Sequence, residues 1–300
     1  MIDFHKPTFV GTEYQYIQQL DKDRNFFGDG QFSNAARKLL LKEYGAQECL
    51  LTFSGTTALE TMFRLLPKSE KKEVIVPSYG FVSCANAVLN AGFTPVLADV
   101  SPETLSLTVE TIDQVASKNT IAVLFIHYGG IVQAVSQIRE YCKDKGIYFF
   151  EDAALSLFAK QNKKLAGTSG DMSILSFNTK KCLHCGQGGA LLIFDSQFIE
   201  KAHIYKNRGT NRLEFEKGKV PFYEWIFPGS YITLSEINAA FLWAQLEKKE
   251  SIVTKHRELF YIYYQELNLT AKQHNIVLPF IQKNAEPNGS EFFIRLNSYD

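Results

Sequence analysis

No stretch of about 18 consecutive apolar residues occurs in the chain of 300, so no membrane-spanning helix is expected. A charge of one sign is missing too, since 32 basic side chains meet 32 acidic ones. Without a global field, neither nucleic acid nor an anionic lipid surface is an expected partner. Cysteines are few: Cys49, Cys84, Cys142, Cys182 and Cys185. Their odd number and scatter argue against a disulfide framework and for a reducing, cytoplasmic setting. Cys182 and Cys185 form a C-x-x-C around His184, but zinc needs about four ligands and no second pair stands nearby. Reduced thiols on a buried turn are expected there, and no metal. Residues 1–7 lack a basic stretch leading into an apolar core, so no secretory signal is expected. Internal repeats and low-complexity segments are absent as well.

What the chain does have is apolar content, 45% of its residues, enough for a large core. The middle of the chain alternates short apolar runs with amphipathic stretches. Strands are expected over 49–53, 73–76, 94–98, 121–126, 148–151, 172–176 and 190–194. Several are continuous apolar runs, as strands covered on both faces should be. Helices are expected over 58–66, 83–90, 108–115 and 135–145. This alternation implies an α/β fold with a mostly parallel sheet sandwiched by helices, and functional loops at the carboxyl ends of its strands. Past Gly229 the character changes. Two long helices are expected over 235–250 and 251–267, then strand pieces over 276–279 and 291–296. A strand with nothing following to cover it suggests an incomplete second domain.

Three segments carry chemistry. Ser54-Gly55-Thr56-Thr57-Ala58-Leu59 follows one strand and opens a helix. Free amides and the dipole at a helix start make an anion site, Gly55 lets backbone approach closely, and Thr56 and Thr57 add hydroxyls. An ordinary helix cap is the alternative. Phe149-Phe150-Glu151-Asp152-Ala153-Ala154 closes another strand with an acidic pair and two small residues. A carboxylate there can keep a pyridine nitrogen protonated, and Ala154 lets a flat ring lie close to the backbone. A capping carboxylate is the alternative. Ser176-Phe177-Asn178-Thr179-Lys180-Lys181 leads into a glycine cluster at Gly186, Gly188 and Gly189. Ser176 can donate to a phosphate, and Lys180 or Lys181 can form an imine with a carbonyl, although a solvated turn also fits. Anion cradle, acid and lysine in that order, each at a strand end, together point to a pyridoxal 5'-phosphate site.

With these segments the sequence resembles the DegT/DnrJ/EryC1/StrS sugar aminotransferases. The resemblance runs from residue 1 to the chain's end. It includes Val10-Gly11-Thr12-Glu13, Gly28-Asp29-Gly30, Pro77-Ser78-Tyr79-Gly80-Phe81-Val82-Ser83 and His127-Tyr128. It also takes in Gly209-Thr210-Asn211-Arg212 and the run from Ala239 to Glu247, both specific to the dideoxygalactose-type branch. The family implies a fold-type I transferase with a seven-stranded sheet, residues 1–248 as the cofactor-binding domain and 249–300 as the start of a small α+β domain. Its lysine lies four residues after the Phe of a Ser-Phe pair and six before a Glu-Gly-Gly. Counting from Phe177 and back from Gln187 both reach Lys181. The resemblance further assigns Asp152 to the pyridine nitrogen, Thr56, Thr57 and Ser176 to the phosphate, and Phe81 to stacking on the ring. Without it, Phe81 reads as core. It also implies a homodimer with sites at the interface, in which residues 207–218 and 229–234 reach the neighbour and Arg208, Arg212 and Tyr231 meet the nucleotide-sugar.

The implied reaction moves an amino group from glutamate to the C4 ketone of a nucleotide-linked 4-keto-6-deoxy sugar, dTDP-linked, for cell-surface polysaccharide synthesis. Lys181 would hold the resting aldimine and then move the proton. Departures from the family pattern are Leu155 for Gln or His, Asn178 for His, Gln187 for Glu and Tyr231 for Ser or Asn. Family chains also continue past the Phe-Phe-Ile-Arg-Leu strand. These differences define a second reading, a truncated, weakly active or inactive member serving as a structural or dimer partner.

Overall fold

A computed structural model describes residues 5–296 of the protein. The first residues of the segment read as lacking a secretory signal, 1–4, and the chain end, 297–300, lie outside the described residues. The strands are β1 Glu48–Thr52, β2 Glu73–Pro77, β3 Thr94–Ala98, β4 Thr120–Ile126, β5 Tyr148–Asp152, β6 Lys160–Gln161, β7 Lys164–Leu165, β8 Met172–Ser176, β9 Gly189–Ile193 and β10 Ala285–Glu286. The helices are α1 Glu13–Asp23, α2 Gln31–Tyr44, α3 Gly55–Arg64, α4 Ser83–Asn90, α5 Val109–Asp113, α6 Ser136–Lys145, α7 Ile199–Lys206, α8 Arg212–Glu216, α9 Glu236–Glu247 and α10 Lys249–Gln273.

Seven strands form one sheet in the order β1-β9-β8-β5-β4-β2-β3. Only β9 runs antiparallel to its neighbours, and the other adjacent pairs are parallel. This is the mostly parallel sheet expected from the sequence. Its apolar runs are continuous because successive side chains enter different cores. In β5, Phe149 packs with Ile112 and Ile138 while Phe150 packs with Phe63 and Met62. In β9, Leu192 faces Leu40 and Leu242 while Leu191 faces Leu59 and Phe198. Burying a side chain such as Phe63 or Leu40 is worth roughly 1.5–3 kcal/mol.

Two remote carboxylates fix the N-terminal helices. Glu13, fully buried, accepts from the amides of Val10 and Gly11 and from Gln245 Nε2, all at 2.8 Å. Glu236, at the start of α9, accepts from the amides of Gly30, Phe32 and Ser33 and so satisfies the open end of α2. The C-terminal part departs from expectation. Residues 276–279 and 291–296 are not strands; they meet in a single bridge, Val277 to Arg295. Pro279 supplies no amide for a ladder, and the amides of Asn288 and Ser290 are committed to Gly130 O and Asn288 Oδ1. The strand that does form, β10, joins β6 and β7 in a small sheet.

Register sets the functional edge. Thr52 and Ser176 both pair with Gly189, so β1 and β8 end on either side of the first residue of β9. Asp152 pairs with Ile126 on one side and Ile174 on the other. The carboxyl ends of β1, β8, β5 and β4 therefore lie along one edge.

Candidate active site

At that edge β1 turns into α3 through Ser54. Its backbone is extended and its hydroxyl accepts the Thr57 amide at 3.0 Å. The amides of Gly55 and Thr56 have no partner among the described residues and point ahead of the helix start. A Cβ on Gly55 would stand 3.0 Å from Ser176 Cβ and 3.2 Å from its Oγ. A Cβ on Gly189 would stand 2.5 Å from Gly55 N and from Ser54 backbone atoms. The glycines therefore let β1, β9 and β8 close together around one niche at the start of α3. Gly55→Val is expected to push into Ser176 and weaken pyridoxal phosphate binding at least about tenfold, a change of about 1.4 kcal/mol. Cofactor titration followed by fluorescence checks this, and an unchanged affinity would remove the niche from the site.

α4 starts beside α3, with Thr56 Oγ1 3.1 Å from Ser83 Oγ. Just ahead of α4, Phe81 is 74% exposed, which overturns its reading as a core residue from sequence pattern. An aromatic this open offers its face to a flat ring. Tyr79 precedes Phe81 in the same segment, and its hydroxyl lies 3.1 Å from that of Tyr128.

Asp152 ends β5 and is buried, with Oδ1 accepting the Ala154 amide at 2.8 Å and Oδ2 accepting from Cys84 Sγ at 3.4 Å. Burial raises its carboxyl above the usual range, against the pull of the Ala154 amide, the thiol and the Lys181 charge. Its neighbour Glu151 points to other work. It binds His127 Nε2 at 2.9 Å and the amides of Ser169 at 2.6 Å and Gly167 at 3.2 Å. Burial opposes the Glu151 charge, but His127 and the amides of Ser169 and Gly170 hold its carboxyl below the usual range. Of the acidic pair, only Asp152 faces the edge as a carboxylate with lone pairs to spare.

The turn carrying the lysines is held by its own backbone. Phe177 N donates to Gly188 O at 2.8 Å, Thr179 N to Gly186 O at 2.9 Å and Lys181 N to Asn178 O at 2.8 Å. Asn178 Oδ1 accepts the Lys180 amide at 3.1 Å, so this departure from the family pattern has a structural role in the turn. Lys180 is exposed, whereas Lys181 is partly buried. Burial lowers the Lys181 ammonium below the usual lysine range, with the charges of Asp152 and Glu291 opposing. A lysine so lowered has more of the neutral amine that attacks a carbonyl. Gln187 is exposed, and Leu155 is half-buried with its carbonyl bonded to Asn288. Cys182 and Cys185 are free and buried, and burial pushes the Cys182 thiol up to about 12.

Gly55, Thr56, Thr57, Ser176, Asp152, Ala154, Phe81 and Lys181 thus gather on one edge. The open amides and the Ser176 hydroxyl suit a phosphate, and the Thr56 and Thr57 hydroxyls, bonded to Ser83 and Ser54, lie alongside. A buried carboxylate suits a protonated ring nitrogen, and an amine stands beside them, so these residues fit pyridoxal phosphate. Arg208, Arg212 and Tyr231 are not brought to this cluster. They line a cleft of about 800 Å³ that also includes Arg37, Glu48 and Lys206 but none of the residues just named. There the Arg208 guanidinium lies 4.3 Å over the Tyr231 ring, and Arg212 pairs with Glu216 at 2.7 Å. Sequence reasoning missed Cys84, whose contact with Asp152 joins residues far apart in the chain, and Asn288, which bonds behind the lysine turn. No local signal marks either.

A model described as the DegT/DnrJ/EryC1/StrS aminotransferase family matches residues 8–296. The chain is similar to a dTDP-4-dehydro-2,3,6-trideoxy-D-glucose 4-aminotransferase of Saccharopolyspora spinosa, 28% identical over 86% of this chain and 69% of the relative. It is similar to a GDP-perosamine synthase of Vibrio cholerae, 27% identical over 89% of this chain and 71% of the relative. Among solved structures, the aminotransferase TlmJ from Streptoalloteichus hindustanus superposes with a TM-score of 0.89 at 25% identity, covering 99% of this chain and 79% of that one.

Proposed function

Since the chain belongs to the DegT/DnrJ/EryC1/StrS aminotransferase family, whose cofactor is pyridoxal phosphate, we propose that it aminates the C4 ketone of a nucleotide-linked 4-keto-6-deoxy sugar, with glutamate as donor. The observation that carries this reading is the partly buried Lys181 within the field of the buried Asp152. When bound, the cofactor supplies an electron sink for the carbon that gains or loses the amino group. The protein's residues do the rest. Amides of Gly55 and Thr56 and hydroxyls of Thr57 and Ser176 would hold the phosphate. Asp152 would hold a proton on the ring nitrogen, the small Ala154 would leave room for a flat ring, and Phe81 would stack on it. Lys181 Nζ would be the group that holds and moves the proton at the substrate carbon.

The separate position of Arg208, Arg212 and Tyr231 supports a homodimer in which one subunit's cleft residues serve the neighbour's site. Arg208, stacked on Tyr231 rather than paired with an acid, is the group best placed for a diphosphate. Similarity to a dTDP-sugar enzyme and the branch-specific segments at 209–212 and 239–247 support a dTDP-linked substrate, and the GDP-perosamine synthase keeps the nucleotide an experimental question. Residues 1–248 form the cofactor-binding domain in this reading, and 249–300 begin the smaller one. In this reading the enzyme serves cell-surface polysaccharide synthesis and acts in the cytoplasm.

Incubation with pyridoxal phosphate, glutamate and a panel of dTDP-, UDP- and GDP-linked 4-keto sugars, read by mass, tests the proposal. Replacement of one ketone oxygen by an amino group is the expected product. A protein that binds cofactor yet aminates no member of the panel would favour the non-catalytic reading.

A further inference from the structure

Asn288 is fully buried although its side chain is polar at both ends. Its Nδ2 donates to Leu155 O at 2.9 Å and Leu157 O at 3.0 Å, and reaches Cys182 Sγ at 3.7 Å. Its Oδ1 accepts the Ser290 amide at 2.9 Å, and its own amide donates to Gly130 O at 3.1 Å. Two pieces of the active-site edge are thereby tied to its side chain, and a third, at Gly130, to its backbone amide. Gly130 follows β4, Leu155 and Leu157 belong to the loop that leaves Asp152, and Cys182 is bonded directly to Lys181.

The surroundings are shaped for this insertion. Gly130 has φ +79°, and a Cβ there would fall 2.1 Å from Asn288 Oδ1. Gly129 has φ +64°, and a Cβ there would fall 2.6 Å from Phe293 Cε1. Two consecutive glycines thus open a socket for the segment 288–293. On its other side, Gly289 has φ +71° and lies so close to α10 that a Cβ would meet His256 O at 2.3 Å. Arg257 Nε donates to Pro287 O at 2.8 Å. The segment is threaded between α10 and the site, with backbone close to backbone at Gly289.

We propose that Asn288 is a positioning residue, which sets the spacing between the Asp152 loop and the turn carrying Lys181. The inference rests on reading Lys181 as the cofactor's lysine. The carboxamide suits the task because it offers two N–H groups toward carbonyls and one oxygen toward an amide. A carboxylate of the same shape would face the Leu155 and Leu157 carbonyls with no donor, and a methyl would leave both unpaired. Either change frees the loop and the turn to separate.

The test uses the full chain as wild type, Asn288→Ala, Asn288→Asp and Ile112→Ala. Ile112 is fully buried in the core between β5 and α6, so its truncation lowers stability without touching the site. Below the melting temperature of each protein, two properties are read. One is the rate at which borohydride fixes pyridoxal phosphate on the Lys181 peptide. The other is the circular dichroism induced in the bound cofactor's visible band, which reports how the ring is held. Both Asn288 variants are expected to be captured at least tenfold more slowly, with the induced signal reduced by half or more. Ile112→Ala should melt lower with both properties unchanged. Folded Asn288 variants with wild-type capture and dichroism would overturn the proposal. If neither variant folds, Cys182→Ala, which deletes the side chain's contact to the lysine turn together with some core packing, decides in the same way when read against Ile112→Ala. Wild-type protein captured at another lysine would instead reassign the cofactor's lysine and remove the premise of this inference.

Discussion

Lys181→Ala is expected to give a folded, colourless protein that fixes no cofactor and aminates no sugar. The loss in turnover is expected to be at least about a thousandfold, the scale of removing a positioned acid–base group, with the nucleophile lost as well. Folding should survive, because Lys181 Nζ has no hydrogen-bond partner among the described residues, and burial of the ammonium is itself unfavourable. The exposed neighbour gives the control. Lys180→Ala changes a solvated side chain, so activity should stay within about twofold, in line with the small effects of surface substitutions. Absorbance of the purified proteins, peptide mass after borohydride, and turnover on the productive sugar check the pair. A colourless Lys180→Ala and a coloured Lys181→Ala would reassign the lysine.

The difference between those two lysines shows where sequence reading stops. Spacing alone admits both, and the choice of Lys181 came from the resemblance. The structure adds a physical distinction, burial and the field of Asp152, that no local pattern carries. Strands were legible because a doubly covered strand must be apolar at every position. β3 and β8 match the expected spans to the residue, and β1, expected over 49–53, is shifted by one. α1 and α2 were not anticipated, since much of what fixes them comes from Glu13 with Gln245 and from Glu236, across most of the chain. The apolar residues of 291–296 read as a strand, but Phe293 is used to fill the Gly129 socket instead. Phe81 shows the opposite error. Hydrophobic pattern puts it in the core, while the fold leaves it 74% exposed at the site. Local chemistry such as the Ser54 cap was readable; cross-chain contacts such as Cys84 to Asp152 were not.

Asp152→Asn is expected to separate function from stability. The substitution keeps the shape and an oxygen for the Ala154 amide but removes the charge that faces a protonated ring nitrogen. Without that counter-ion the ring draws electrons poorly, and a loss of about 4 kcal/mol in the barrier, roughly a thousandfold in turnover, is expected. Stability should move the other way. Burial raises the Asp152 carboxyl above the 3.8 of an unperturbed aspartate, so the folded apoprotein holds its proton to higher pH than the unfolded chain does. Stability then falls as pH rises between the two values, and at neutral pH the buried carboxylate is a cost. Apo Asp152→Asn should therefore melt no lower than wild type at pH 7. Cofactor affinity gives the matching signature. As pH falls through the raised value, wild-type Asp152 takes up a proton and loses its grip on the ring nitrogen, so its affinity has an acid limb lying above 3.8. That limb should be absent in Asp152→Asn. Melting curves of the apoproteins and cofactor titrations between pH 4 and 8 measure both. An Asn variant that turns over at the wild-type rate, or keeps the same acid limb, would place the ring nitrogen's partner on another side chain.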